Sequence, residues 1–267
     1  PLAALCWAHS EALLENVHQN CSSETMKYSF VSVGIWWVLF SQYSFYYLPK
    51  GNNRIKVTKD IFWNGFKELK LVWKQLKNNL GLRRFLPAFF SYSMALQTVL
   101  LVAAYYGEEE IAWASSSEKT IGLIVSILLI QIVAIFGAIL TARASERFGN
   151  ILVLVVINGI WAVLCVIAYY TRTPMQFYIV AGFVGMVMGG LQSLSRSTYS
   201  KLIPETQDTT SFFSFYAVAE KIAIVIGMLC FGLIDHFSGS MRNGILFFIL
   251  FFILGGVMLL RIPFKRT

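Results

Sequence analysis

Charge is scarce in this sequence. Only 13% of its 267 residues are charged, while 57% are hydrophobic. A soluble globular domain carries about 25% charged and about 45–50% apolar residues, so a water-exposed globule is excluded. Acids are scarcer than bases, 14 Asp and Glu against 22 Lys and Arg, for a net charge of +8. The bases lie mostly between apolar runs, where loop lysines and arginines set membrane orientation. The excess is therefore topological, and nucleic acid is not an expected partner. Cysteines number four and histidines three. Cys6, Cys21, Cys165 and Cys230 show no CxxC or metal-ligand spacing, and His9, His18 and His236 are scattered. No metal site is expected. Walker A, HExxH and GxSxG patterns are absent, which leaves no signal for an enzyme or a cofactor. No basic n-region with an apolar core and cleavage site marks a signal peptide, and the first residue is proline.

Long apolar runs are what the sequence has instead. Seven segments approach the roughly 20 residues that a bilayer-spanning helix needs. They cover about 28–47, 85–106, 121–141, 151–170, 175–194, 211–234 and 244–260. The expected fold is all-α, a polytopic membrane protein with the lipid bilayer as its solvent. Residues 1–27 form an extracytoplasmic segment, 28–47 a first span, and 48–84 a basic cytoplasmic connection. Residues 85–260 form a six-helix bundle and 261–267 a cytoplasmic tail. The connection between the first two spans is rich in Lys and Arg, and GEEEIAWASSSEKT beyond the second is acidic. Strict alternation then places the C-terminus in the cytoplasm. An odd number of spans with an external start implies earlier spans. Within the connection, Phe62, Phe66, Leu69, Trp73, Leu76 and Leu80 recur at steps of four and three. A basic amphipathic helix of this kind lies on the inner membrane surface or packs against the cytoplasmic ends of the spans.

Glu220 and Lys221 stand side by side in SFYAVAEKIAIVIG. A mid-bilayer charge costs at least about 2.5–3.5 kcal/mol, so the pair should face protein or an aqueous path. Neighbours on a helix point about 100° apart, so the two cannot satisfy each other as an i, i+4 pair does. The readings are a substrate or proton-coupling site and a structural ion pair. Gln97, Gln131 and Asn158 are buried amides that either bond across helices or touch solute. Arg196 either binds an anionic group or snorkels to the interface. Gly182, Gly185, Gly189 and Gly190 offer close-packing faces, above all Gly185-xxx-Gly189. Pro87 is a potential kink.

ARASERFGN (142–150) resembles the inter-helix motif G-x-x-x-D-R-x-G-R of the major facilitator superfamily. Arg147 and Gly149 match, Glu146 replaces Asp, and Ala142 and Asn150 depart. VGIWW (33–37), LPKGN (48–52), FFSYSMALQTV (89–99), GGLQSLSRSTYSKLIPE (189–205) and FFSFYAVAEKIAIVIG (212–227) add specificity. Together they resemble the bacterial branch of the family related to autophagy-linked vacuolar amino-acid effluxers. The resemblance implies span six plus the C-terminal six-helix half of a major facilitator, with an N-terminal half as its missing partner. It implies a secondary transporter of a small polar solute in the bacterial inner membrane, with amino-acid export suggested by eukaryotic members. In that reading Glu146, Arg147 and Gly149 form a conformational loop. Relatives of this pattern carry Asp-Gly where this chain has Met94-Ala95, which moves proton coupling to Glu220 and Lys221. Lys221 would hold a carboxylate and Glu220 an amine or a proton. The competing reading is a non-transporting scaffold whose buried charges only hold helices together.

Overall fold

The structure, a computed structural model, describes residues 27–28, 30–47, 61–204 and 209–262, leaving out the side chains of 61–64, 66–68 and 77–78. The chain divides into two units, residues 1–58 and 59–267. In the first, residues 30–47 form a helix, α1. Its Ser41 hydroxyl donates to the Trp37 carbonyl at 2.7 Å, and Trp36 packs on Phe40 at 4.4 Å. The segment 1–27, expected to be extracytoplasmic, lies almost wholly outside the described residues.

The second unit holds α2 (Ile61–Asn78), α3 (Leu80–Glu109), α4 (Ser116–Phe148), α5 (Asn150–Tyr170), α6 (Pro174–Leu202), α7 (Thr209–Ser238) and α8 (Met241–Leu260). Helices are what hydrocarbon permits, because they satisfy every backbone group internally. Six of them, α3 to α8, are long and apolar enough to cross a membrane. Seven spans were expected. The α1 helix is not among the six, because its tyrosines and Gln42 dilute a stretch that is only 18 residues long. α3 starts at Leu80, five residues before the expected span, inside the stretch assigned to the connection.

The helix ends follow the local sequence. Asn79 caps α3 by accepting from Gly81 N at 3.0 Å and Leu82 N at 3.3 Å. The same side chain donates to the Leu202 carbonyl at 3.1 Å, closing the C-terminal end of α6. Ser115 caps α4 by accepting from Glu118 N at 3.1 Å. Thr173 and Gln176 form a reciprocal capping box at α6, with Pro174 in the first turn, where a missing N–H costs nothing.

Within the bundle, α4 packs along α6, α5 along α8 and α6, and α3 along α8 and α7. The centre is aromatic. Trp161 stacks on Phe252 at 5.4 Å, and Phe89 on Tyr216 at 4.2 Å. α4 and α7 leave most of their apolar side chains exposed, as befits helices bathed in lipid or covered by further membrane helices.

α2 lies on the bundle. Val72 and Leu76 are buried against it, and Trp73 meets Phe215 of α7 at 5.9 Å. Packing, the second of the two readings for this helix, is what the contacts of α3 and α7 with α2 describe. The buried face runs through Leu69, Val72 and Leu76, so Val72 joins the expected stripe, while Leu80 leaves it for α3. Phe62 and Phe66 have side chains outside the described residues.

At the end where α3 and α5 finish and α8 begins, Arg242 acts as a clamp. Its Nε donates to Glu110 Oε2 at 2.6 Å, Nη1 to the Tyr169 carbonyl at 2.6 Å and Nη2 to the Glu110 carbonyl at 3.1 Å. Three helix ends therefore meet on one half-buried guanidinium. Hydrogen bonds to charged groups are worth about 1.5–3 kcal/mol. Arg242→Ala is expected to cost about 2 kcal/mol, read as a lower unfolding midpoint of the solubilised protein. An unchanged midpoint would contradict the clamp.

Candidate functional site

A small polar recess opens between α3, α6 and α7. Positions one turn apart on each helix supply its walls. α3 gives Phe89, Tyr92, Ser93, Leu96 and Gln97; α6 gives Gln192, Ser195 and Arg196; α7 gives Tyr216 and Glu220. Glu220 lies about 16 Å along α7 at about 1.5 Å per residue, well inside the span.

Gln97 Nε2 donates to Glu220 Oε1 at 2.6 Å. That is short for an N–H···O bond, and a carboxylate charge shortens such bonds. Below it, the Tyr92 and Ser195 hydroxyls are 2.8 Å apart, and Ser195 Oγ donates to the Leu191 carbonyl at 2.6 Å. Ser195 has a single hydroxyl proton and spends it on Leu191, so Tyr92 is the donor to Ser195. The Arg196 guanidinium sits beside the Tyr216 hydroxyl, and Glu220 acts on the same hydroxyl. One cation and one anion thus line a common recess with Tyr216 between them. The arrangement suits a small solute that carries both a hydrogen-bond donor and an acceptor.

Of the expected site residues, the fold brings together Gln97, Glu220 and Arg196. It separates the other two. Lys221 is exposed on a neighbouring flank of α7 and has no hydrogen-bond or ion partner among the described residues. Gln131 is exposed on α4, away from the recess. Both follow from helix geometry, since consecutive residues diverge by about 100° and α4 turns little of its surface inward. Among the described residues Lys221 does not join Glu220 in the recess, and Arg196 is the cation that lines it with that carboxylate. Asn158 is fully buried, but its amide donates to Leu154 of its own helix at 2.8 Å rather than across helices. Tyr92, Ser93, Gln192 and Tyr216 were not anticipated as site residues. Tyr216 lies one turn before Glu220, and Ser93 one turn before Gln97, so face-sharing was the signal for these two.

The small-residue stripe is a packing site. A Cβ on Gly185 would sit 2.6 Å from the Ile130 carbonyl, one on Gly189 would strike the Ala134 carbonyl, and one on Gly137 the Met186 carbonyl. Gly182 faces open space, contrary to expectation.

The expected conformational loop is almost all helix. Glu146 and Arg147 belong to the last turn of α4 and are exposed, and the turn into α5 is Gly149 alone. Gly149 has φ 86°, a region that disfavours side chains. Gly149→Ala is expected to cost about 1–2 kcal/mol, measured as a lower unfolding midpoint; no change would mean the turn relaxes freely. Asn150 donates to Thr198 Oγ1 at 3.2 Å and accepts from Lys201 Nζ at 3.3 Å, tying this turn to α6.

The family model for proteins described as vacuole effluxer Atg22 like matches residues 3–267. The chain belongs to the Atg22-like family. Among Atg22-like relatives, the uncharacterized MFS-type transporter YxiO of Bacillus subtilis is 29% identical over 98% of this chain and 58% of its own length. Autophagy-related protein 22 of Vanderwaltozyma polyspora is 27% identical over 92% of this chain and 51% of its own length. The chain thus spans about half the length of the curated relatives it matches. A solved structure of a variant of the E. coli fucose:proton symporter FucP superposes with TM-score 0.57. It covers 80% of this chain and 48% of that one at 17% identity, a likeness of fold alone. The Atg22-like chain therefore has a major facilitator fold, and its relatives are transporters rather than enzymes.

Proposed function

We propose that this Atg22-like chain supplies the solute recess of a major facilitator secondary transporter. An N-terminal half completes the cavity, and the two halves alternate access around it. The transported solute is a small polar molecule, and an amino acid fits best. Its amine would lie toward Glu220 and its carboxylate toward Arg196. Proton coupling through Glu220 is the natural partner of this scheme, because a carboxylate held by one amide can trade that bond for a proton or a solute amine. The membrane is a bacterial inner membrane, with the C-terminus cytoplasmic. In support, exposed Arg83, Arg84, Arg143, Arg147, Lys201 and Arg261 gather toward one end of the bundle, and Glu108, Glu109 and Glu118 toward the other.

The observation that carries the proposal is the Gln97–Glu220 bond at 2.6 Å inside a recess that also holds Arg196. The test is flux of radiolabelled amino acids and sugars into proteoliposomes of the full-length protein, with and without a proton gradient. Amino-acid flux that responds to the gradient is the expected result. No flux of any solute would favour the scaffold reading instead.

A further inference from the structure

One buried hydroxyl in the solute recess is left unsatisfied by the described residues. A serine or threonine inside a helix can donate to a carbonyl one turn back, and buried polar groups are as a rule hydrogen-bonded. Among the described residues, buried Ser91, Thr98, Ser126, Thr171, Ser195 and Thr198 each donate to a backbone carbonyl. Ser93 does not. It is only 2% exposed and lines the recess from α3, yet its hydroxyl has no hydrogen-bond partner among the described residues. The buried side-chain atoms sealed off without a partner belong to Asn158 and Trp161. The Ser93 oxygen therefore keeps an opening, and that opening is the recess it lines. Gln192, half-buried on the α6 wall, is likewise without a hydrogen bond among the described residues.

The other polar groups of the recess are charged or committed. Gln97 holds Glu220, and Tyr92 spends its proton on Ser195, which spends its own on Leu191. Arg196 and Glu220 supply one cation and one anion. An amino acid uses both, on its carboxylate and its amine, so a charged side chain finds no counter-ion among the residues that line this recess. Ser93 stands between the two charges along α3. Tyr92, the residue before it, reaches Ser195 beside Arg196, and Gln97, one turn on, reaches Glu220. A side chain carried between the two charged groups of the solute therefore passes Ser93. The complement of a lone hydroxyl is another hydroxyl, since each gives one proton and accepts one. We infer that the transported solute is an amino acid with a hydroxyl on its side chain, and that Ser93 selects it. This rests on the amino-acid reading above. A site built to bond a solute hydroxyl rejects the analogue that lacks it, because its own polar group is then left unpaired.

The experiment measures uptake of radiolabelled L-serine, L-alanine, L-threonine and L-valine by the full-length protein in proteoliposomes. Serine differs from alanine, and threonine from valine, at one hydroxyl. The kcat/KM for serine over alanine, and for threonine over valine, is expected to be at least about ten-fold. Ser93→Ala should bring both ratios close to one. Ser91→Ala, where the lost hydroxyl is spent on the Phe251 carbonyl outside the recess, should keep them. A ratio taken within one preparation does not depend on how much of the protein folds. Equal transport of serine and alanine by the parent, or ratios in Ser93→Ala that match the parent's, would overturn the selection and leave an amino-acid transporter standing. L-asparagine carried in preference to serine would overturn it in favour of a carboxamide. No uptake of any of these amino acids would overturn the amino-acid reading itself, and this inference with it.

Discussion

Glu220→Gln is expected to lower solute flux by about ten- to a hundred-fold, the worth of about 1.5–3 kcal/mol for a hydrogen bond to a charged group. The substitution separates two roles that Glu220 combines. A carboxamide is nearly the same size as a carboxylate and still accepts from Gln97, so the α3–α7 contact survives and the unfolding midpoint should hold. What disappears is the negative charge, and with it the site for a proton or a solute amine. Arg196→Ala should cost flux to a similar extent, since it removes the opposite charge from the same recess. Lys221→Ala should change flux little, because that side chain leaves the recess on a neighbouring flank of α7. If Glu220→Gln transports normally, the carboxylate is a helix clip and nothing more.

Gly189→Leu is expected to prevent the bundle from assembling, at a cost of at least about 3 kcal/mol, the upper range for forced overpacking. The obstacle is backbone: a side chain at Gly189 meets the Ala134 carbonyl, which has no rotamer to move into. Gly137 presents the same problem from α4 against Met186, so the two helices are locked from both sides. Without a hydrophobic drive between helices in lipid, close backbone approach is the main source of their association. Gly182→Leu is the internal control, since nothing stands within 4 Å of a Cβ there. The yield of monodisperse protein after gel filtration separates the two. Equal yields from Gly189→Leu and the parent would show that α4 and α6 do not need this approach.

The helices were legible because hydrocarbon imposes a simple rule on sequence, a long apolar run for each crossing. The same rule explains the failures of placement. Pattern reads how many residues lie in a span but not which flank of the helix turns inward when nearly every flank is apolar. Glu220 and Lys221 stand out in sequence as a costly pair, yet only the packing of α7 on α3 decides that Glu220 faces Gln97 and Lys221 does not. Gln131 looked equivalent to Gln97 in sequence; α4 is buried mainly along its glycine seam against α6, and Gln131 falls off that seam. Gly185 and Gly189 were readable from spacing alone, because an i, i+4 repeat fixes a face wherever the helix lies. Their partner Gly137 has no second glycine at that spacing; its seam continues through Ala134 and Thr141.

The central claim is that Glu220, Gln97 and Arg196 enclose a solute. The most direct measurement places a reporter in that recess: the full-length Gln192→Cys protein, with other accessible cysteines removed, reacted with a small thiol reagent. Gln192 lines the recess without carrying a charge, and Ala217→Cys on the exposed flank of α7 serves as the reference. The account predicts that a saturating transported solute slows modification at position 192 several-fold and leaves position 217 untouched. Equal rates at position 192 with and without that solute would contradict it.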